Sequence, residues 1–205
     1  MNRFAPQTLF LALAFIYAIV SVQDARAAQP EVRVEHGVYT FAQQFESTLP
    51  ADTVAALLFR PGNLSQVDGQ MASKLSFDTL DDSTYEMASD YRYLWFYHNR
   101  MVVRRRLERQ GRTITSTLVR FTQTLGLAPN PRSSTTTYRL LPTATGTSIE
   151  FTQTTVFEAS LGSLANRVFT STTLKYLEQI QAFVQSREST VETLAAATGL
   201  HPSVH

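Results

Sequence analysis

The sequence predicts an α+β protein: a curved seven-stranded antiparallel sheet wrapped around one long C-terminal helix, with two short helices after the first strand. Three observations predict it. Segments of alternating, Thr- and aromatic-rich sequence follow one another from Ser73 to Glu158, as hairpin-linked strands do. The breaks between them, DDST, HN, QG, GLAPNP and PTATG, carry turn residues. Beyond Leu161 the apolar period changes to that of a helix.

VYTFAQQFESTL, Val38 to Leu49, alternates Tyr39, Phe41, Phe45 and Leu49 with polar neighbours and reads as a half-buried strand. Pro50 opens a short helix through PADTVAALLF, because its fixed φ suits a first turn and Asp52 suits the positive end of the dipole. Arg60-Pro61-Gly62-Asn63 stops that helix, and a second short one covers Asn63 to Gln70. Strands are then expected at Ser73–Leu80, Tyr85–Tyr97, Met101–Arg109, Arg112–Gln123, Ser133–Leu141 and Ser148–Glu158.

A meander with one apolar face needs a cover. In the final helix Leu161, Leu164, Ala165, Val168, Phe169, Thr172, Tyr176, Leu177, Ile180, Phe183 and Val184 share one stripe. From Leu161 to Arg187 it would measure about 40 Å, against about 33 Å for a ten-residue strand. It is long enough to cross the whole concave face. After Ser186 the stripe is lost, so residues 188–205 read as a flexible tail with a helical turn near 191–197.

The first 27 residues stand apart as a secretory signal peptide. Arg3 lies in a short polar start, an apolar run extends from Leu9 to Val22, and Ala25-Arg26-Ala27 has the small-x-small pattern of a cleavage site. The apolar run would span about 21 Å as a helix, short of the roughly 30 Å of a bilayer core. No stable membrane span is therefore expected after cleavage, and the expected location is periplasmic or secreted. The absence of Cys excludes disulfides, thiolate chemistry and a lipoprotein anchor. Cleavage removes Arg3, Asp24 and Arg26, leaving 16 basic residues of 18 and 16 acidic residues of 17. A neutral chain without a basic tail is a poor ligand for nucleic acid or an anionic membrane, which favours a small apolar partner or another protein, of no identifiable kind.

The order strand, two helices, six strands, long helix resembles the START-like superfamily, whose helix-grip fold is shared by polyketide cyclase-like, lipid-transfer and plant allergen-type proteins. Leu49-Pro50-Ala51-Asp52 entering the first helix, Gly146-Thr147-Ser148-Ile149-Glu150-Phe151 opening the last strand, and Gly162-Ser163-Leu164 starting the last helix carry the likeness. It covers residues 38–187 of a domain expected at 28–187. The resemblance implies a cavity between the sheet and the last helix for a hydrophobic or lipid-like small molecule. The superfamily has no shared catalytic signature, so the fold does not decide function.

Strand parity selects what would line such a cavity. With Gln110-Gly111 as a two-residue turn, Leu107 faces Ile114, Arg105 faces Ser116 and Val103 faces Leu118. That face is mainly apolar, whereas Glu108–Thr113, Arg106–Thr115 and Arg104–Thr117 form a wholly polar one. The apolar face turns inward and takes Arg105 and Ser116 with it. A buried Arg must be paired or must serve something. It could be a handle for a ligand carboxylate or phosphate, half of a structural salt bridge, or a guanidinium reaching the rim.

In the strand 85–97, Tyr85, Met87, Tyr91 and Tyr93 share a face with Trp95 and Tyr97, opposite Glu86, Ala88, Asp90 and Arg92. The aromatic face is expected inside as far as Tyr91. Leu94 and Phe96 fall on the other face, so either the turn at His98-Asn99 has an odd number of residues or a bulge switches faces near Tyr93. On the last strand Phe151, Gln153 and Thr155 point under the helix, as do Phe169 and Tyr176 from above. These positions suit an amphipathic ligand or a packed core with satisfied polar groups.

Other chemistry is missing. His36, His98, His201 and His205 have no metal-ligand spacing, and Pro202 spoils a helical pair between the last two. There is no Gly-rich phosphate loop and no nucleophile elbow, so neither metal nor cofactor is expected. Arg104-Arg105-Arg106 is split by alternation between two faces. A lipocalin-type or outer-membrane barrel is disfavoured by the helix after the first strand. Three readings remain: a carrier of a hydrophobic small molecule; a cyclase- or hydratase-like enzyme using Arg105 with Tyr91 or Asp90; and an interaction module whose cavity its own side chains fill.

Overall fold

Eight strands, not seven, form the sheet. The structure, a computed structural model, describes residues 29–68, 72–94, 97–108, 112–126 and 128–198. The strands are β1 (Glu31–Glu35), β2 (Val38–Ser47), β3 (Lys74–Asp81), β4 (Thr84–Leu94), β5 (Tyr97–Leu107), β6 (Thr113–Gln123), β7 (Pro131–Thr143) and β8 (Gly146–Phe157). Helices α1 (Ala51–Phe59) and α2 (Pro61–Asp68) follow β2, and α3 (Ser163–Thr198) ends the described chain. The sheet order is β1-β2-β8-β7-β6-β5-β4-β3, antiparallel throughout. The signal-peptide expectation, His201 and His205 lie outside the described residues.

The added strand, EVRVE, is short and carries a charge at every second residue, which suits an exposed edge. Its hairpin to β2 turns through His36 and Gly37, both at positive φ (50° and 80°), the backbone that a tight two-residue hairpin requires. At the β7–β8 turn Gly146 has φ 150°, and a Cβ there would collide with the Ser47 carbonyl at the end of β2. The turn is thus packed directly on the neighbouring strand, where Thr147 Oγ1 also donates to Leu49 O at 2.7 Å.

Two of the four register shifts among the described strands bear on the hollow. The register of β5 with β6 runs Leu107↔Ile114, Arg105↔Ser116, Val103↔Leu118, as parity requires, although Gln110-Gly111 itself lies outside the described residues. Beyond Val103 it slips, and Val102 pairs with Arg120. Val119 is the extra residue of this bulge. Strict alternation from Ser116 and Leu118 would turn Arg120 and Thr122 inward; the bulge turns Phe121 and Gln123 inward instead. The second irregularity lies between Arg92 and Leu94, where a face switch near Tyr93 is expected from the sequence. The expected turn at His98-Asn99 is corrected: both residues lie in β5, opposite Arg92 and Tyr91. Polar His98 and Asn99 look like turn residues because their partners across the ladder are invisible locally.

The main core fills the space between β2, β6, β7, β8, α1 and the middle of α3. Phe41, Phe45, Ile114, Tyr138, Leu140, Ile149 and Phe151 from the sheet meet Val54 and Leu58 of α1 and Leu177, Ile180 and Val184 of α3. A second cluster of Leu64, Tyr85, Met87 and Val103 sits beneath α2. The helix continues past the expected end at Arg187 to Thr198. Losing the apolar stripe ends the buried face, not the helix. Ala-, Glu- and Leu-rich sequence carries the helix onward. Glu188 accepts a hydrogen bond from Thr48 N at 3.0 Å, and Arg187 donates to Gln66 of α2.

Ile180→Ala should lower stability by about 2–5 kcal/mol, because it leaves a hole among fully buried neighbours. Leu164→Ala, at a position 75% exposed, should change it by less than about 0.5 kcal/mol. Urea denaturation of both variants checks the contrast.

Candidate functional site

The apolar stripe of α3 does two different jobs. Its middle plugs the sheet through Leu177, Ile180 and Val184. Its first turns stand over empty space, and there Leu164 is 75% and Val168 44% exposed. Phe169 separates the two regimes. Its ring makes edge-to-face contacts with Tyr39, Phe41 and Phe157 at centroid distances of 5.3, 5.7 and 5.0 Å, clamping the helix to β2 and β8. Beneath the first turns lies a hollow of about 850 Å³. Its walls are β4 to β8, the connection between β6 and β7, Leu161 and Gly162 before α3, and α3 itself as far as Tyr176.

The lining is predominantly apolar, with Met87, Met101, Val103, Leu118, Phe121 and Phe157 on the sheet side. Three polar stations interrupt it. At the inner end stands Arg105, 2% exposed. Its guanidinium donates to Ser116 Oγ at 2.9 Å and to Leu58 O at 2.7 Å, and lies 5.3 Å from the centre of the Tyr138 ring. On the β7–β8 wall, Ser134 Oγ and Thr155 Oγ1 are 2.8 Å apart, and Gln153 Nε2 donates to Thr155 at 3.3 Å. Nearer the opening, Asn99 faces Tyr91 on one side and Gln123 on the other. Gln123 Nε2 donates to Ala128 O and Asn130 Oδ1, both at 2.8 Å, and so shapes the β6–β7 connection. From the roof, Tyr176 accepts a hydrogen bond from Tyr138 at 3.3 Å.

Arg105 has a structural role besides facing the hollow. Helix α1 has no basic residue in its last turn. Arg105 caps its Leu58 carbonyl, and Tyr85, the cross-strand neighbour of Arg105, donates its hydroxyl to Phe59 O at 2.7 Å. Two adjacent inward residues of the sheet thus hold consecutive orphan carbonyls at the negative end of α1. These contacts give the guanidinium a structural role within the fold.

Of the residues selected from the sequence, Met87, Tyr91, Arg105, Ser116, Gln153, Thr155, Phe169 and Tyr176 line the hollow. Two do not. Tyr85 is buried beneath α2 and uses its hydroxyl on α1. Phe151 belongs to the core, edge-on to Tyr138 at 5.2 Å. Tyr93 lies in β4, but its side chain is outside the described residues. Sequence reasoning missed Asn99, taken for a turn; Phe121 and Gln123, beyond the bulge; and Ser134 and Thr136. The last two sit in SSTTT, where both faces are hydroxylated and alternation carries no information. The consecutive apolar pair Leu118-Val119 followed by Phe121 was the available mark of the bulge. Among the described residues no group of three or more His, Asp or Glu stands together, and no helix is long and apolar enough to cross a membrane.

Solved structures share this architecture. The chain is similar to the Zhui aromatase/cyclase from Streptomyces sp. R1128, with a TM-score of 0.58 and 14% identity over 75% of this chain and 96% of that one. It is also similar to major latex-like protein 151 of Panax ginseng, at 0.53 and 8% over 74% and 97%. The Mll3558 protein of Rhizobium loti matches at 0.53 and 21% over 75% and 99%. No protein-family model and no curated protein matches the chain. At these identities the likeness defines the fold alone: the chain has a helix-grip fold.

Arg105→Met should cost about 1–3 kcal/mol by leaving Leu58 O without its donor, and Tyr85→Phe about 1 kcal/mol. Urea denaturation of both variants reads this directly.

Proposed function

We propose that the protein is an exported carrier for a hydrophobic or amphipathic small molecule held between the sheet and α3. The observation that carries this reading is the hollow itself. A cavity of about 850 Å³ lies in the range of small-molecule sites. The first turns of α3 turn apolar side chains toward it instead of filling it. An apolar ligand there gains by leaving water, while the stations at Arg105–Ser116, Thr155–Ser134 and Asn99 would orient its polar groups. An unfilled hollow of this size speaks against a module whose cavity is closed by its own side chains. Export rests on the N-terminal pattern of Arg3, the apolar run and Ala25-Arg26-Ala27.

A second reading is supported by the similarity to an aromatase/cyclase. In it Arg105, at the inner end of the hollow, polarises a ligand carbonyl while Tyr91 moves a proton; Asp90, on the opposite face of β4 beside Arg100, does not line the hollow. The two readings differ in what happens to a bound molecule: a carrier releases it unchanged, and an enzyme of this kind returns an altered product.

Solvent extraction of the purified protein followed by mass spectrometry should release an apolar compound. A fluorescent naphthylamine probe should bind saturably, and Thr172→Trp, which fills the hollow beneath α3, should weaken it by about tenfold or more without unfolding the protein. A clean extract together with unsaturable probe binding would overturn the carrier reading.

A further inference from the structure

The described chain is close to neutral, but its charges are separated along the sheet. The ends of β4, β6 and β8 and the starts of β3, β5 and β7 lie at the same end as the opening of the hollow, as the strand registers require. Here Lys74, Arg92, Arg100, Arg120, Arg132 and Arg167 are all exposed. The acids at this end are fewer, and most are engaged. Asp90 lies 3.7 Å from Arg100, Glu158 accepts a hydrogen bond from Asn130, and Glu35 closes β1. The opposite end is more acidic: Glu46, Asp52, Asp81, Asp82, Glu108, Glu150 and Glu188 outnumber Arg60, Arg106, Arg112, Arg139 and Arg187, with Asp52 paired to Arg112 and Glu150 to Arg139. There Ser83, through its backbone N–H and its hydroxyl, holds the Asp81 carboxyl below its ordinary range, so that charge persists in mild acid.

The basic end also bears apolar side chains in solvent. Leu164 and Val168 stand at the rim of the hollow, and Leu125 follows β6 with 44% exposure. Arg167 lies between the first two in sequence, and Arg132 adjoins Pro131 of the lining.

We infer that this end is a docking surface for an anionic lipid bilayer, with Leu125, Leu164 and Val168 entering the interface and the surrounding arginines resting on lipid phosphates. Apolar side chains ringed by cations are the pattern of interfacial membrane binding, in which burial and charge attraction act together. An acidic protein would satisfy the cations, but it would not require exposed apolar side chains among them. The acidic opposite end would point away from the bilayer and help set the orientation. Docked in this way, the opening of the hollow faces the lipid. The inference does not depend on a bound cargo.

Co-sedimentation of the purified protein with vesicles tests it. Equimolar phosphatidylglycerol–phosphatidylcholine vesicles should bind at least about tenfold more protein than phosphatidylcholine alone, and about 0.5 M NaCl should remove most of the difference. Arg120→Glu with Arg132→Glu, neither of which lines the hollow, should lower binding to the anionic vesicles by about tenfold while leaving naphthylamine uptake unchanged. Should the double variant fail to fold, Leu125→Asp and the salt dependence of the unaltered protein give the same reading. No binding to anionic vesicles, equal binding to both kinds, or a dimer in solution that covers Leu164 would overturn the docking surface. Vesicle binding without probe uptake would leave docking intact and sink the carrier reading; the reverse result would sink docking alone.

Discussion

Every other feature of the molecule follows from how the middle of α3 packs against the concave face of the sheet. Leu177, Ile180 and Val184 are fully buried there and cannot move without opening the main core. That wedge, with the Phe169 clamp, fixes where the earlier turns of the helix lie. Those turns stand over the sheet with the hollow between them. A helix of uniform burial would give a closed core. One that splits its stripe between plug and roof gives both a stable fold and a space, and the exposure of Leu164 and Val168 is the consequence.

The inner end of the hollow is held by a related device. Helix α1 ends with carbonyls pointing at the sheet and supplies no cation of its own. Arg105 and Tyr85 meet that need from adjacent strands. A charge buried in an apolar interior is costly unless its donors are used. Here Ser116 and Leu58 take two of them and the Tyr138 ring lies beside the guanidinium, so its orientation is fixed before any ligand arrives. Position and polarity at this end of the cavity are thus set by the requirements of folding. Any role in recognition or chemistry is added to a residue that the fold already needs.

The sheet shows the same dual use. The bulge at Val119 bends the long β5–β6 hairpin and decides which side chains reach the interior. With it, Phe121 and Gln123 line the hollow while Arg120 joins the basic rim. Without it, Arg120 would be buried with no partner provided by the pattern, and the opening would lose one of its cations. A single inserted residue therefore sets both the apolar character of the wall and the charge of the surface around it.

Much of this was legible in the chain itself. The order of elements, the β5–β6 register from Leu107 to Val103, the inward direction of Arg105 and the stripe on α3 all follow from periodicity and turn chemistry. These are local properties, fixed by the two-residue repeat of a strand, the 3.6-residue repeat of a helix and the φ a turn demands. What escaped was non-local. Strand β1 exists because it pairs with β2, Asn99 is a strand residue because Tyr91 and Gln123 flank it, and Tyr85 is withdrawn from the hollow because α1 ends above it. The helix outlasts its stripe because Glu188 and Arg187 find Thr48 and Gln66. Periodicity along the chain thus dictates which faces are apolar and in what order the elements come. Where two apolar faces meet, and where they stay apart, is settled in three dimensions alone, because a cavity is a property of the distance between elements and no single element encodes it.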